Sequence, residues 1–169
     1  MFRDVRRNKK QVLSEERARE ILSNATSGVL SVMGDDDYPY GVPLSYSLKG
    51  DTLYFHSAKK GHKIDALQKH DKVSFTVIDK DQIVPEKYTT YYRSVVVFGR
   101  ARFVEDVAEQ RVILTHLAEK YSPDFMDGCD DEIDRCIKGV QIIALDIEHI
   151  SGKEAIELAK ARETETTVE

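Results

Sequence analysis

The stretch between residues 26 and 57 constrains this chain more than any other. It holds three strand-like runs, 26–33 (TSGVLSVM), 40–48 (YGVPLSYSL) and 52–57 (TLYFHS), parted by Gly34-Asp35-Asp36-Asp37 and Lys49-Gly50-Asp51. Links this short join antiparallel neighbours, because a parallel crossover needs a dozen residues or more. The chain therefore opens as an antiparallel meander, which weakens any reading as a doubly wound dinucleotide-binding sheet.

The remaining elements fit around that meander. Ser14 can cap a helix over 14–24, with Glu15 and Glu16 at its positive end and Ala18, Ile21, Leu22 and Ala25 at helical spacing. After Ala58-Lys59-Lys60-Gly61, Ile64 and Leu67 predict a short helix over 62–70, followed by a strand at 73–78. A polar stretch containing Pro85 leads to a long β-rich segment, 91–104, in which Gly99 marks a bend or bulge. An amphipathic helix is predicted at 106–121, using Val112, Ile113, Leu117 and Ala118 for burial, then another at 129–138 and a strand at 140–150. From Glu154 the chain is helix-prone, and 163–169 reads as a frayed tail. Six strands with helical additions and no βαβ alternation predict a mainly β, six-stranded antiparallel barrel in one domain. Its core spans about 14–154, with an arm at 1–12 and a tail at 155–169.

Composition limits the function classes. A chain of 169 residues with 41% apolar and 33% charged residues can build its own core and is not generally disordered. A net charge of −5 argues against nucleic acid as a partner, which needs a clustered basic face. Cys129 and Cys136 lack CxxC spacing and read as free thiols of a reducing compartment. The basic N-terminus has no apolar run after it and no segment reaches membrane-span length, so a soluble cytoplasmic protein is expected. His70, His116 and His149 form no close ligand pair, so no metal is assigned.

The segment His56-Ser57-Ala58-Lys59-Lys60-Gly61-His62-Lys63 carries the strongest chemical signal. A strand end, a glycine turn, a hydroxyl, several cations and a helix start together suit a phosphate group. The GxxxxGK[ST] order is absent, so nucleoside triphosphate hydrolysis has no support.

The ordered segments GVLSV, YPYGVPLSYSL, GDTLYFHSAKKGHKIDAL, VSFTV, YYRSVVVFGRARFVED and SGKE resemble the FMN-binding split-barrel family of pyridoxamine 5'-phosphate oxidases. The likeness is strongest to its Nim-type, nitroimidazole-resistance branch. The resemblance implies a split β-barrel that holds FMN at a homodimer interface. It implies Ser57, Lys59 and Lys63 on the flavin phosphate, with His62 nearby, and Val42, Pro43, Leu44 and Ser45 along the isoalloxazine ring. His56 matches the family's active-site histidine, as cofactor contact and candidate proton donor. Arg93 and Ser94 match the strand that reaches the cofactor groove and the partner subunit; Lys153 is similar. Tyr88, Tyr91 and Tyr92 could wall a substrate pocket. The function implied is an FMN-dependent oxidoreductase of nitroreductase-like type acting between a small-molecule electron donor and acceptor. A non-enzymatic flavin- or haem-binding module and a pyridoxamine phosphate oxidase-like enzyme are the alternatives.

Overall fold

Ser14 and Asp106 start two helices by the same means: the Ser14 side chain accepts from the Arg17 amide, and the Asp106 carboxylate accepts from the Glu109 amide. The computed structural model describes residues 2–6 and 9–166. Its helices are α1 (Glu15–Asn24), α2 (His62–Lys69), α3 (Val107–Tyr121), α4 (Cys129–Cys136) and α5 (Ile156–Thr166). Its strands are β1 (Ser27–Met33), β2 (Pro39–Ser45), β3 (Ser47–Lys49), β4 (Thr52–Ala58), β5 (Lys72–Val84), β6 (Thr89–Val104) and β7 (Val140–Glu154).

The strands form one antiparallel sheet of seven in the order β2-β1-β5-β6-β7-β4-β3. Its two outermost strands are consecutive in the chain, separated by Tyr46 alone. Two residues of extended chain span only about 7 Å. The sheet must therefore curl until its edges meet at that residue, and the result is an incompletely closed, split barrel. The sequence predicts one strand over 40–48; it is two, because the chain leaves β1 at Ser45 and joins β4 from Ser47.

Buried contacts from α1 and α3 hold this corner. Tyr46 is fully buried and its hydroxyl donates to the Leu22 carbonyl at 2.6 Å. The Tyr46 amide donates to the Tyr121 hydroxyl at 2.9 Å, and that hydroxyl lies 2.6 Å from the Thr26 carbonyl and 2.7 Å from that of Tyr46. Lys120 donates to the Ala25 carbonyl and lies 4.3 Å over the Tyr46 ring.

Strand alternation produces two cores. Inside the barrel, Leu30, Leu53, Phe55, Phe75, Val97 and Leu145 pack with Ala18 and Leu22 of α1 and with Ile64 and Leu67 of α2. Each fully buried Leu or Phe contributes about 1.5–3 kcal/mol. Outside it, Ile142 and Ala144 of β7 are covered by Ile113, Leu114 and Leu117 of α3 and Ile133 of α4. At the bulge between Phe98 and Gly99 a Cβ on Gly99 would stand 2.1 Å from the Asp146 carbonyl oxygen, so only glycine fits there.

Residues 79–90, expected as a polar loop, instead prolong β5 and β6 into a hairpin beyond the barrel. Ala155 bonds back to Tyr92 at 2.8 Å. The chain is helical through Thr166, so the part of the expected frayed tail up to that residue is ordered, and 167–169 lie outside the described residues. No helix among the described residues is long and apolar enough to cross a membrane.

Candidate functional site

The phosphate-suited segment sits where β4 ends and α2 begins. Gly61 has φ of 126°, a conformation L side chains rarely adopt, and stands at the N-cap of α2. The Ile64 and Asp65 amides bond to the Gly61 carbonyl, while the amides of His62 and Lys63 have no backbone acceptor among the described residues. Lys63 is half-buried, burial holds its ammonium below the usual lysine value, and it makes no ion pair among the described residues. Ser57 is half-buried near the end of β4, four residues before Gly61 in the chain. A half-buried cation, two free amides and a hydroxyl fit an anion.

The structure disperses the other expected residues. His62 does not face that anion site: its ring stacks on Tyr40 at 4.2 Å, and its Nε2 accepts from the Asp35 amide at 3.2 Å. Lys59 is exposed and lines a separate hollow of about 310 Å³ with Glu105, Gln110 and Lys138. On β2, Val42 and Leu44 are half-buried toward the barrel interior while Pro43 and Ser45 face outward. The far edge of β2 has no partner strand among the described residues, so its backbone groups there are open to a ligand.

His56 and Ser57 point to opposite sides of β4, since Leu53 and Phe55 fill the barrel and His56 alternates with them. His56 lies across from Ile142 of the outer core and lines a cleft of about 720 Å³ under α3 and α4, together with Ser45. The imidazole makes no hydrogen bond or ion pair among the described residues.

Arg93 is held elsewhere. Its Nε donates to Glu154 at 2.9 Å and its terminal nitrogen to Asp79 at 3.1 Å. Arg162 takes the second oxygen of Glu154, which is wholly buried. Ser94 lies on the outer sheet face and lines a hollow of about 500 Å³ with Arg6, Val96, Phe98, Ser151 and Lys153. Nearby, the Tyr92 hydroxyl is buried without a partner and Lys153 lies 5.9 Å from its ring. Tyr88 is almost fully exposed at the hairpin tip and does not join Tyr92 in a pocket wall. Sequence reasoning missed the α3 and α4 residues facing His56. Their helical spacing signals burial but not whether a neighbour or a cavity lies opposite.

A family model described as pyridoxamine 5'-phosphate oxidase matches residues 14–154. A candidate 5-nitroimidazole antibiotic resistance protein from Bacteroides thetaiotaomicron has a similar structure, at 24% identity and a TM-score of 0.71, covering 85% of this chain and 86% of that one. A FAD-binding protein from Mesorhizobium loti matches at 25% identity and 0.59, covering 86% and 97%. A FAD and heme binding protein from Mycobacterium smegmatis matches at 21% and 0.71, covering 87% and 74%. No curated protein matches the chain.

Proposed function

Since the chain belongs to the pyridoxamine 5'-phosphate oxidase family, we propose that it is a flavoprotein oxidoreductase that binds FMN, with the flavin phosphate on Ser57, Lys63 and the first amides of α2. The observation that carries this reading is Lys63, a half-buried cation with no ion pair among the described residues, beside two amides without backbone acceptors there. Bound flavin supplies the redox chemistry. The protein's part is positioning: Gly61 presents the amides, Lys63 neutralises phosphate charge, and the open edge of β2 from Val42 to Ser45 offers backbone groups to the ring's polar rim. His56 stands one residue from the phosphate group but on the other face of β4, where it can hold or deliver a proton to a reaction partner.

We further propose a homodimer through the outer face of β2, β1, β5, β6 and β7. One row across it reads Pro43, Val29, Thr76, Val96 and Ser151, and the next reads Gly41, Ser31, Ser74, Phe98 and His149. Neither row carries a Lys, Arg, Asp or Glu, and charge depletion at the centre of a patch is typical of an interface. Ser94 and Lys153 lie in the next row on this face.

The test is the visible spectrum of purified protein, followed by release and chromatography of any bound chromophore against FMN, FAD and haem. About one FMN per chain, bound roughly tenfold or more tightly than riboflavin, is expected, since riboflavin lacks the phosphate. Haem alone, or no binding after reconstitution with FMN, would overturn the reading.

A further inference from the structure

The cleft containing His56 is separated by β4 from the anion site, and its chemistry is different. Its walls include Leu117 of α3 and Ile133 of α4, its base includes Val140, and Phe125 stands at its lip with 78% of its surface exposed. At about 720 Å³ it falls within the roughly 300–1,000 Å³ of small-molecule sites.

Its polar end follows from the barrel split. The β3–β4 ladder runs Lys49↔Thr52, Leu48↔Leu53, Ser47↔Tyr54, and two steps further the same register would pair Ser45 with His56. Ser45 has instead turned to Ser27 on β1, so the hydroxyl and the imidazole both line the gap. His56 makes no hydrogen bond or ion pair there among the described residues.

The lining is electrically balanced. Among the described residues that line it, the only oppositely charged groups, Glu132 and Arg135, pair with each other at 2.7 Å. A phosphorylated or carboxylated molecule would lose water here without gaining a free cation. The other hollows differ, for that on the sheet face has Arg6 and Lys153 and that at the start of α3 has Lys59, Glu105 and Lys138.

We propose that this cleft binds a neutral, mainly apolar small molecule whose single polar end hydrogen-bonds to His56 and Ser45. Resting on the flavin reading above, that molecule is the cofactor's organic reaction partner. The absence of a free cation sets it apart from the phosphorylated substrate in the family's name.

Cys129 and Cys136 line the same cleft as free thiols and report on its occupancy. The full-length protein is titrated with Nile red, a neutral planar dye, while iodoacetamide alkylation of each thiol is followed by mass spectrometry. Saturable binding that slows alkylation of both by about fivefold or more is expected. Ala118→Phe, which fills the cleft from α3, should weaken the dye about tenfold and leave FMN affinity within about twofold. Benzyl alcohol should displace the dye, and benzyl phosphate should not. Equal alkylation rates with and without dye in the unaltered protein, or equal competition by the two benzyl compounds, would overturn the proposal. Protected thiols in a protein that binds no FMN would leave the cleft standing and remove the flavin reading. Bound FMN with unprotected thiols would do the reverse.

Discussion

Lys63 is a cation held where its charge gains nothing from the protein itself. Burial depresses its pKa, so the folded state disfavours the ammonium relative to the unfolded chain, and the cost is present at neutral pH and relieved only as pH rises through the folded value. Replacing it by an apolar residue of similar length should therefore leave the ligand-free protein as stable or more so while removing a phosphate contact. Lys63→Met is expected to keep or raise the apo Tm and to weaken FMN about tenfold or more, with riboflavin little changed. A lowered apo Tm with equal losses for both flavins would make Lys63 a structural residue. Tyr46 presents the opposite shift, since burial, and then the neighbouring Tyr121, push its phenol well above the ordinary value. A raised folded pKa means stability present in full below about pH 10, where unfolded tyrosine ionises, and lost as pH climbs through the folded value. Tyr46→Phe should lower stability at pH 7 by about 1 kcal/mol through the lost bond to Leu22, yet flatten the alkaline decline. Urea unfolding at pH 8 to 11 checks this, and parallel slopes for the two proteins would refute it.

Among the elements, α2 depends most on a single backbone angle. Gly61 has open space where a Cβ would go, so Gly61→Ala meets no clash and its whole cost is conformational, about 1–2 kcal/mol at φ of 126°. Relaxing that strain rotates the His62 and Lys63 amides. The variant should therefore lose FMN affinity beyond what its stability loss explains, by calorimetric titration at a temperature where it remains folded; unaltered affinity would free α2 of the phosphate role. This element was legible in the sequence because glycine, cations and helical spacing coincide within eight residues. The corner at Tyr46 was not: YGVPLSYSL keeps period-two alternation throughout, and alternation says which side a residue faces but nothing of which strand it pairs with. The same limit hid the hairpin at 79–90, whose polar residues are solvated and whose pairing comes from register with β6. His56 and Ser57 were read as one site from their adjacency. Strand alternation alone sends adjacent side chains to opposite faces, and only the structure shows that a helix-covered cleft lies on one side and the α2 amides lie on the other.

At the scale of the whole molecule, the barrel surface is divided between a face covered by α3 and α4 and a face against which, among the described residues, lie the arm at Phe2 and residues 5–6. The uncovered face is broad, poor in charge, and carries partly exposed Val29, Met33 and Phe98 and the more exposed Ile78. A patch of this kind on a lone monomer is unusual, whereas a stable dimer buries roughly 1,200 Å² or more in total. Val96 lies mid-face, paired with Thr76 on one side and Ser151 on the other, so a lysine there projects from the surface without entering the barrel core. Val96→Lys should convert a dimer to a monomer in sedimentation and leave the far-ultraviolet circular dichroism unchanged. Two such ammonium groups facing one another across the symmetry axis have no counter-charge and lose their water. If the cofactor groove is completed by both copies, FMN affinity should fall with the dimer, at protein concentrations where the unaltered chain retains both. Monomeric Val96→Lys with undiminished FMN affinity would show that one chain suffices for the cofactor. An unaltered chain that is already monomeric at those concentrations would instead leave the uncharged face to some other occupant and remove the interface proposal altogether.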